Sequence, residues 1–363
     1  MKTIKLEAKE LVNALTVLNK LDVRSSGESE LVFFKIYNGM VDVFGLGEDV
    51  EVRVKLNVND VDNVGSCNIA VNKKSMLDIV GRIGKESEYV LIAMDNYSVT
   101  VKGDNGAFSL KPLKCARVIP SISGNIYLED IYAKNLTGAL SSVIHASPSG
   151  SGVVYIDDGC VYVCGDYRFA MHRIKLHGVS QTICISVDVA KFIVDTLNML
   201  GEEIVKVRYI DGVIIVKVGG FILRVKCGEP ILNWALDSNY KIVVFVNKMS
   251  FIDALRQMEA KYVYVEANSE KFNLPSMYLS AIRLRSCDEN GDLGLPVKLN
   301  AKYENTGWFK GVFNVQHLIE SIEPVRDDTV ALYCPEGGED NWIRICNGSG
   351  DSYLAVIRGM ILE

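Results

Sequence analysis

One helical pattern occurs three times in this chain, and its period constrains the fold more than any other feature of the sequence. The copies occupy residues 11–15 (LVNAL), 136–140 (LTGAL) and 251–255 (FIDAL). They lie roughly 115 to 125 residues apart, which is the size of a domain and far longer than a solenoid repeat. The 363 residues therefore predict three similar domains rather than a single large one.

A second helix is predicted in each copy. It opens with an apolar residue followed by Asn or Asp, and further apolar residues recur behind that pair at helical spacing. The three pairs are Val71-Asn72, Val187-Asp188 and Phe313-Asn314. We expect the Asn or Asp to cap its helix, because its side-chain oxygen can accept a hydrogen bond from an N–H group of the first turn.

Runs typical of strands fill the rest of each copy. Three runs follow each second helix, at 89–94, 98–102 and 108–110, at 204–209, 213–218 and 221–225, and at 329–333, 342–345 and 353–357. Others lie between the two helices, at 31–36, 40–44, 152–156 and 160–164. Asp211-Gly212 separates two runs, as a hairpin turn requires. Each copy is thus predicted to be an α+β domain of two helices packed on antiparallel sheets, with the domains at 1–124, 125–241 and 242–363.

The composition predicts a soluble, cytoplasmic protein without a metal centre or a cofactor. No apolar run reaches the roughly 18 residues of a membrane span, and the first residues lack the apolar core of a signal peptide. The nine cysteines are scattered singly, which is typical of reduced thiols rather than of a zinc site or a disulfide framework. Neither a phosphate-binding loop nor a nucleophile pattern is recognisable, so the sequence does not predict an enzyme.

Basic side chains recur on the predicted helices, on the sides away from the apolar stripes. They are Lys9, Lys20, Lys73, Lys74, Lys134, Lys191 and Arg256. Such groups can contact phosphates without reading bases, and the formal charge of −6 does not exclude a local basic surface. Ordinary solvated helix faces carry the same residues, so both interpretations remain open at this point.

Three segments resemble the beta sliding clamp of bacterial DNA polymerase III, and their order and spacing follow that family along the whole chain. Residues 106–113 (GAFSLKPL), followed by 118–120 (VIP), resemble the end of the family's first domain. Residues 163–170 (VCGDYRFA) resemble its Ala-Thr-Asp-Gly-His-Arg-Leu-Ala segment, and 313–318 (FNVQHL) resemble the Phe-Asn-x-x-Tyr-Leu start of its last helix.

The resemblance implies a homodimer in which two chains join head to tail, so that six clamp domains form a ring around double-stranded DNA. It implies a processivity factor without a catalytic site, which tethers DNA polymerase and other proteins that carry a clamp-binding motif, and which a clamp loader ATPase opens. Arg24 would face the DNA together with the basic residues named above. Phe108 would lie at the dimer seam, against an edge of the third domain near residues 261–267.

The resemblance also implies a groove for partner peptides between the second and third domains. Its residues would be Gly165, Tyr167, Arg168, Phe169, Pro230, Trp234, Trp342, Val356, Ile357, Arg358 and Met360. A small apolar pocket of this kind would hold a Leu or Phe anchor of the peptide. The chain lacks the family's Met-Pro-Met-Arg-Leu ending and has Asp166-Tyr167 in place of Gly-His. These departures predict an altered partner motif and would suit a divergent or phage-encoded clamp.

Two other interpretations compete with a clamp. A clamp-like scaffold or decoy would bind partner peptides without encircling DNA, and the altered ending favours it. A hydrolase or nucleotide-binding enzyme would need a constellation of catalytic groups that the sequence does not display.

Overall fold

The structure, a computed structural model, describes residues 2–21, 30–37, 40–47, 49–62, 67–95, 97–113, 129–147, 152–157, 159–165, 168–176, 179, 181–228, 242–268, 279–305, 307–335, 342–349 and 352–359. Within these ranges the chain forms helices and antiparallel sheets, which confirms the predicted α+β class. The helices are α1 (Ala8–Asn19), α2 (Lys73–Ile83), α3 (Ala133–Ile144), α4 (Val187–Leu200), α5 (Lys248–Gln257) and α6 (Val315–Ile322).

Of the 25 strands in these ranges, thirteen match the predicted runs to within two residues, and the other twelve had no predicted run. The first seventeen are β1 (Lys2–Glu7), β2 (Leu31–Tyr37), β3 (Met40–Leu46), β4 (Val50–Asn57), β5 (Asp60–Asp62), β6 (Cys67–Asn72), β7 (Tyr89–Met94), β8 (Val99–Gly103), β9 (Gly106–Leu110), β10 (Glu129–Tyr132), β11 (Val153–Asp157), β12 (Cys160–Cys164), β13 (Arg168–Arg173), β14 (Ile183–Ser186), β15 (Ile204–Ile210), β16 (Val213–Val218) and β17 (Phe221–Lys226). The remaining strands are β18 (Ile242–Asn247), β19 (Tyr262–Asn268), β20 (Leu279–Cys287), β21 (Val297–Tyr303), β22 (Trp308–Asn314), β23 (Thr329–Cys334), β24 (Trp342–Asn347) and β25 (Tyr353–Arg358).

The chain divides into two compact units, each built on complete sheets. The first comprises Met1–Lys134, Leu176–Gly178 and Phe192–Gly228, and the second comprises Asn135–Lys175, Val179–Lys191 and Glu229–Glu363. The first unit holds a five-stranded sheet, β5-β1-β7-β8-β9, and an eight-stranded sheet, β10-β15-β16-β17-β4-β3-β2-β6. The second holds a twelve-stranded sheet, β14-β11-β12-β13-β25-β24-β23-β18-β21-β20-β19-β22. Strands of the predicted middle domain therefore join two different sheets, and the three domain boundaries stay a prediction.

Helix α1 shows how the repeated pattern produces a helix that packs on a sheet. Its residues Leu11, Ala14, Leu15 and Leu18 recur at helical spacing and are fully buried. Burial of a leucine side chain such as Leu15 contributes about 2 kcal/mol to folding. The opposite side of the helix stays in water, so the spacing of apolar residues alone fixes which face meets the sheet.

The turn between β15 and β16 also follows from its sequence. Asp211 and Gly212 both adopt a left-handed backbone, with φ of 47° and 78°. Two successive positive φ values match the right-handed twist of the strands that they connect. The predicted hairpin at Asp211-Gly212 is confirmed.

Two of the three predicted helix caps are confirmed, and the third is wrong. The side chain of Asn72 accepts a hydrogen bond from the backbone N–H of Ser75 at 2.9 Å, and Asn314 caps α6 in the same way. Helix α4, however, begins at Val187, so Asp188 lies inside its first turn. Ser186 takes the capping place, since its hydroxyl oxygen accepts the N–H of Val189 at 3.2 Å. The end of β14 sets where the helix starts, and Ser caps about as well as Asp.

Replacing Asn72 with alanine is expected to lower the free energy of unfolding by about 1 kcal/mol, because the N–H of Ser75 loses its acceptor. Urea denaturation of the purified protein measures this loss. Asn13→Ala is the matched control, since Asn13 is exposed within α1 and should shift stability by less than about 0.5 kcal/mol. Equal losses in the two variants would contradict the capping role.

Candidate functional site

An apolar cluster covers one face of the twelve-stranded sheet in the second unit. Its buried members are Tyr155, Tyr162, Phe169, Cys184, Ala331, Cys346, Leu354 and Val356. They come from neighbouring strands between β14 and β23, on which alternate residues point to the same side. Partly buried apolar residues pack around them, so the described residues do not cover this face completely. Aromatic and aliphatic side chains in such a position suit the apolar anchors of a partner.

Four residues of the predicted groove meet on this face. In the pairing of β13 with β25, Phe169 lies directly opposite Val356. The ring of Phe169 is 5.9 Å from that of Tyr162, centroid to centroid. Trp342 packs against the cluster from β24, opposite the exposed Arg358. Phe169, Val356, Trp342 and Arg358 thus form the candidate groove.

Arg168 and Ile357 do not join this surface. They are partners in the same strand pair but alternate with Phe169 and Val356, and both are almost fully buried. The guanidinium of Arg168 forms an ion pair with the carboxylate of Glu320 on α6. Burial raises the pKa of Glu320, but hydrogen bonds from Gln316 and Arg168 outweigh it and hold the pKa below its ordinary value. Arg168 therefore holds α6 against the sheet, behind the groove.

A polar network continues from this ion pair along the helix side of the sheet. The hydroxyl of Tyr353 donates to the carbonyl oxygen of Ser321 at 3.0 Å. The imidazole Nε2 of His145 lies 3.3 Å from the Ser321 hydroxyl and 3.4 Å from that of Tyr353. Burial first, and then the charge of Arg168, lowers the pKa of His145 to about 4. The imidazole is therefore neutral at physiological pH and adds no charge beside Arg168.

Gly165 occupies a place that requires glycine. Its N–H donates to the carbonyl oxygen of Arg168, the first residue of β13, at 2.7 Å. A Cβ atom at Gly165 would lie 2.5 Å from the backbone oxygen of Ala146. The backbone therefore approaches too closely for any larger residue, and Gly165 shapes the end of the groove rather than lining it.

Several predicted residues lie outside the described ranges: Arg24, Tyr167, Pro230, Trp234 and Met360. Other residues on the apolar face were missed by the sequence analysis, namely Tyr155, Tyr162, Cys164, Met171 and Leu354. For Tyr155, Tyr162 and Cys164 the signal was the nearly continuous apolar runs of β11 and β12, which make both strand faces apolar. A strand that is apolar on both faces is typically covered on both, so the face turned away from the helices also calls for a covering partner.

The predicted basic residues divide into two groups. Lys9, Lys20, Lys74, Lys134, Lys191 and Arg256 are exposed on or beside their helices. Lys73, by contrast, is buried. It is 6% exposed, and its ammonium lies 3.5 Å from the carbonyl oxygen of Leu21. Arg256 forms an exposed ion pair with Glu323, with 2.9 Å between the guanidinium nitrogen and the carboxylate oxygen.

Arg326 adds a basic group that the sequence analysis missed. It is exposed just after α6, and its guanidinium reaches across to α3 at Gly138. A Cβ atom at Gly138 would lie 3.2 Å from the guanidinium nitrogen, so the glycine makes room for the arginine. No pattern in the local sequence could reveal this contact, because the two residues are distant along the chain.

Phe108 lies on β9, which has β8 as its neighbour at the edge of the five-stranded sheet, and it is 38% exposed. Its expected contact near residues 261–267 of a second chain stays a prediction. Those residues form β19, which is paired with β20 on one side and β22 on the other. Among the described residues, the first half of β21 has an unpaired edge on the side of β18, because β21 pairs with β18 only from Ala301 onward. Leu295, just before β21, is 90% exposed.

The described part of the chain contains no group of three or more His, Cys, Asp or Glu side chains arranged to hold a metal ion. Seven of its cysteines are free thiols, namely Cys160, Cys164, Cys184, Cys227, Cys287, Cys334 and Cys346. Among the described residues, no helix has the length and apolar character needed to cross a membrane.

Comparison with known proteins finds the fold among DNA-replication proteins. No protein-family model matches the chain, and no curated protein matches it significantly. Solved structures match over the full length. The DNA polymerase III beta subunit of Thermotoga maritima has a TM-score of 0.81 at 11% identity, with 100% of both chains covered. The sliding clamp of Bacillus subtilis has a TM-score of 0.82 at 12% identity, with 99% of both covered.

A sliding clamp from Pseudomonas aeruginosa bound to griselimycin has a TM-score of 0.81 at 13% identity, covering 99% of this chain and 100% of the other. The helices and antiparallel sheets thus follow the complete three-domain clamp architecture, although few residues are identical. The chain has the fold of the bacterial DNA polymerase III beta subunit, the sliding clamp.

Proposed function

We propose that the protein is a DNA sliding clamp, a non-enzymatic processivity factor whose two chains form a ring around duplex DNA. The observation that carries this proposal is the match of the whole chain to clamp structures, joined to an apolar groove on the twelve-stranded sheet. A clamp acts topologically, because a closed ring cannot leave the DNA sideways. It would work in the cytoplasm, where a clamp loader ATPase would open it.

The groove supports the docking of polymerase and other partners through short peptides. Phe169, Val356 and Trp342 offer apolar surface, and the exposed Arg358 at its rim can pair with an acidic group of the peptide. Behind them the Arg168–Glu320 ion pair fixes the strand that carries Phe169. A rigid support of this kind reduces the entropy that the groove loses on binding.

The strand pairings support a head-to-tail dimer. Within the first unit, β17 adds to the edge of β4, and within the second unit β25 adds to β13 in the same manner. Strand β9 follows α2 in the way that β17 follows α4, yet it ends its sheet. We infer that β9 of one chain adds to the open edge of β21 in a second chain, where Phe108 would cover Leu295. Two such additions close a ring and remove both edges.

Contacts to DNA would come from the exposed basic residues on the helices and from Arg326. They are few and lie among small or neutral polar side chains, so the contact with phosphates would be weak and sensitive to salt. Weak contacts suit a ring that slides, because retention depends on closure and not on affinity.

Retention on circular against linear DNA tests this function. After loading by a clamp loader, we expect the protein to stay on closed circles through a wash at about 1 M salt, where screening abolishes phosphate contacts. On linear DNA of equal length it should slide off the ends. If loading is verified and the protein is lost equally from both, it does not encircle DNA, and a peptide-binding scaffold becomes the better account.

A further inference from the structure

The two sheet junctions of this chain are built to the same plan. In the first unit the strands run β6-β2-β3-β4-β17-β16-β15, and in the second they run β14-β11-β12-β13-β25-β24-β23. The pairing of β4 with β17 therefore corresponds to the pairing of β13 with β25, which carries the candidate groove. A repeated architecture would by itself give every chain two equivalent grooves.

The registers allow the two junctions to be compared residue by residue. Tyr155 opposes Tyr162 and Cys164 opposes Phe169 in the second unit. In the first unit Phe33 opposes Phe44 in the same positions. These two phenylalanines and Leu46 form a smaller apolar cluster of their own. The aromatic pair therefore occurs in both junctions, although in the first unit the guanidinium of Arg53 lies over the Phe44 ring at 5.7 Å, where the second unit has Met171 beside Tyr162.

The junctions differ at the position where the groove has its centre. Where Phe169 lies beside Val356, the first unit has Glu51 beside Arg224. These two form an ion pair at 3.1 Å, with 14% of the Glu51 side chain and 30% of the Arg224 side chain exposed. The pair borders a cavity of about 180 Å³ whose apolar walls include Leu46.

Covering this largely buried ion pair with an apolar anchor is unfavourable, because both charges would lose their remaining contact with water. A leucine or phenylalanine placed over Glu51 and Arg224 would strip the remaining water from both charges and return no hydrogen bond. The same anchor placed over Phe169 and Val356 would remove only apolar surface from water, which is favourable.

We propose that the Glu51–Arg224 ion pair closes the first junction to apolar peptides, so that each chain offers one docking groove instead of two. This inference rests on the proposed peptide-docking function of the groove at Phe169 and Val356. Glu51 and Arg224 act as specificity-determining residues, because they select which of two similar surfaces a partner can use.

The test replaces the ion pair with the residues of the groove, Glu51→Phe with Arg224→Val. Removing both charges together is tolerated where removing one is not, since no unpaired charge is left behind. The probe is an acetylated hexapeptide with one Leu and one Phe, and calorimetric titration with native mass spectrometry counts the bound peptides. We expect one peptide per chain for the natural protein and two for the double variant.

Two further variants keep the outcome decisive. The charge-reversed pair, Glu51→Arg with Arg224→Glu, retains an ion pair and should still bind one peptide. Adding Phe169→Ala to the double variant should leave a single peptide, now bound at the first junction. A double variant that is folded by circular dichroism and still binds one peptide would overturn the inference. Absence of binding to the natural protein would instead overturn the docking function itself.

Discussion

Phe169→Ala is expected to weaken the binding of a partner peptide by roughly 30-fold to 1,000-fold, equivalent to about 2–4 kcal/mol. The ring of Phe169 lies at the centre of the apolar face, between Tyr162 and Val356, and alanine would leave no surface for an anchor side chain. Fluorescence anisotropy with a labelled Leu- and Phe-containing peptide measures the change. Processive synthesis by a polymerase that depends on the clamp should fall with it.

Phe33→Ala is the matched control for this prediction. Phe33 is 3% exposed against 5% for Phe169, and it lies on the corresponding sheet face of the first unit. Both variants should lose about 3–5 kcal/mol of stability, since each removes a buried ring. Only Phe169→Ala should lose peptide affinity. Equal affinities for the two variants would place the docking site elsewhere on the protein.

Arg168→Ala is expected to lower the free energy of unfolding by about 3 kcal/mol. The Arg168 side chain is 3% exposed, so its removal leaves the partly buried carboxylate of Glu320 without its cation and opens a void between α6 and the sheet. Chemical denaturation at neutral pH measures the loss. Replacing both partners, by Arg168→Met with Glu320→Leu, should restore most of the stability, because no unpaired charge remains.

Arg256→Ala provides the comparison. Arg256 also forms an ion pair, with Glu323, but both side chains are about half exposed. Water screens such a pair, so its loss should cost less than about 1 kcal/mol. A loss that small for Arg168→Ala as well would show that the buried pair does not support the groove.

Much of the fold could be predicted because it depends on periodicity. The spacing of Leu11, Leu15 and Leu18 predicts a helix with one apolar side, and the strand-like runs predict about half of the strands to within two residues. The hairpin at Asp211-Gly212 and the caps at Asn72 and Asn314 follow from local chemistry. Each of these features is decided within a few residues of chain, where the physical causes are local.

The site could be predicted only in part, because alternation along a strand does not say which face meets the helices. Phe169 and Arg168 are adjacent in a segment that resembles a clamp groove, yet Phe169 lies on the groove face and Arg168 is paired with Glu320 on the other. Both faces of β13 are largely buried, so neighbouring residues gave no sign of which side each would take. Lys73 was likewise predicted to face the DNA from the start of the second helix, but the packing of α2 buries its side chain.

The sequence alone determined the three copies of one helical pattern, the α+β class and the apolar strands that the groove uses. The tertiary structure decided how the copies join. Strands β17 and β25 pair with β4 and β13 and so join strands of two copies into one sheet, although more than 160 residues separate the paired strands in each case. Pairing at such a distance depends on matched edges and registers and leaves no local trace. For the same reason, only the folded chain reveals that an ion pair stands at one junction and an apolar pair at the other.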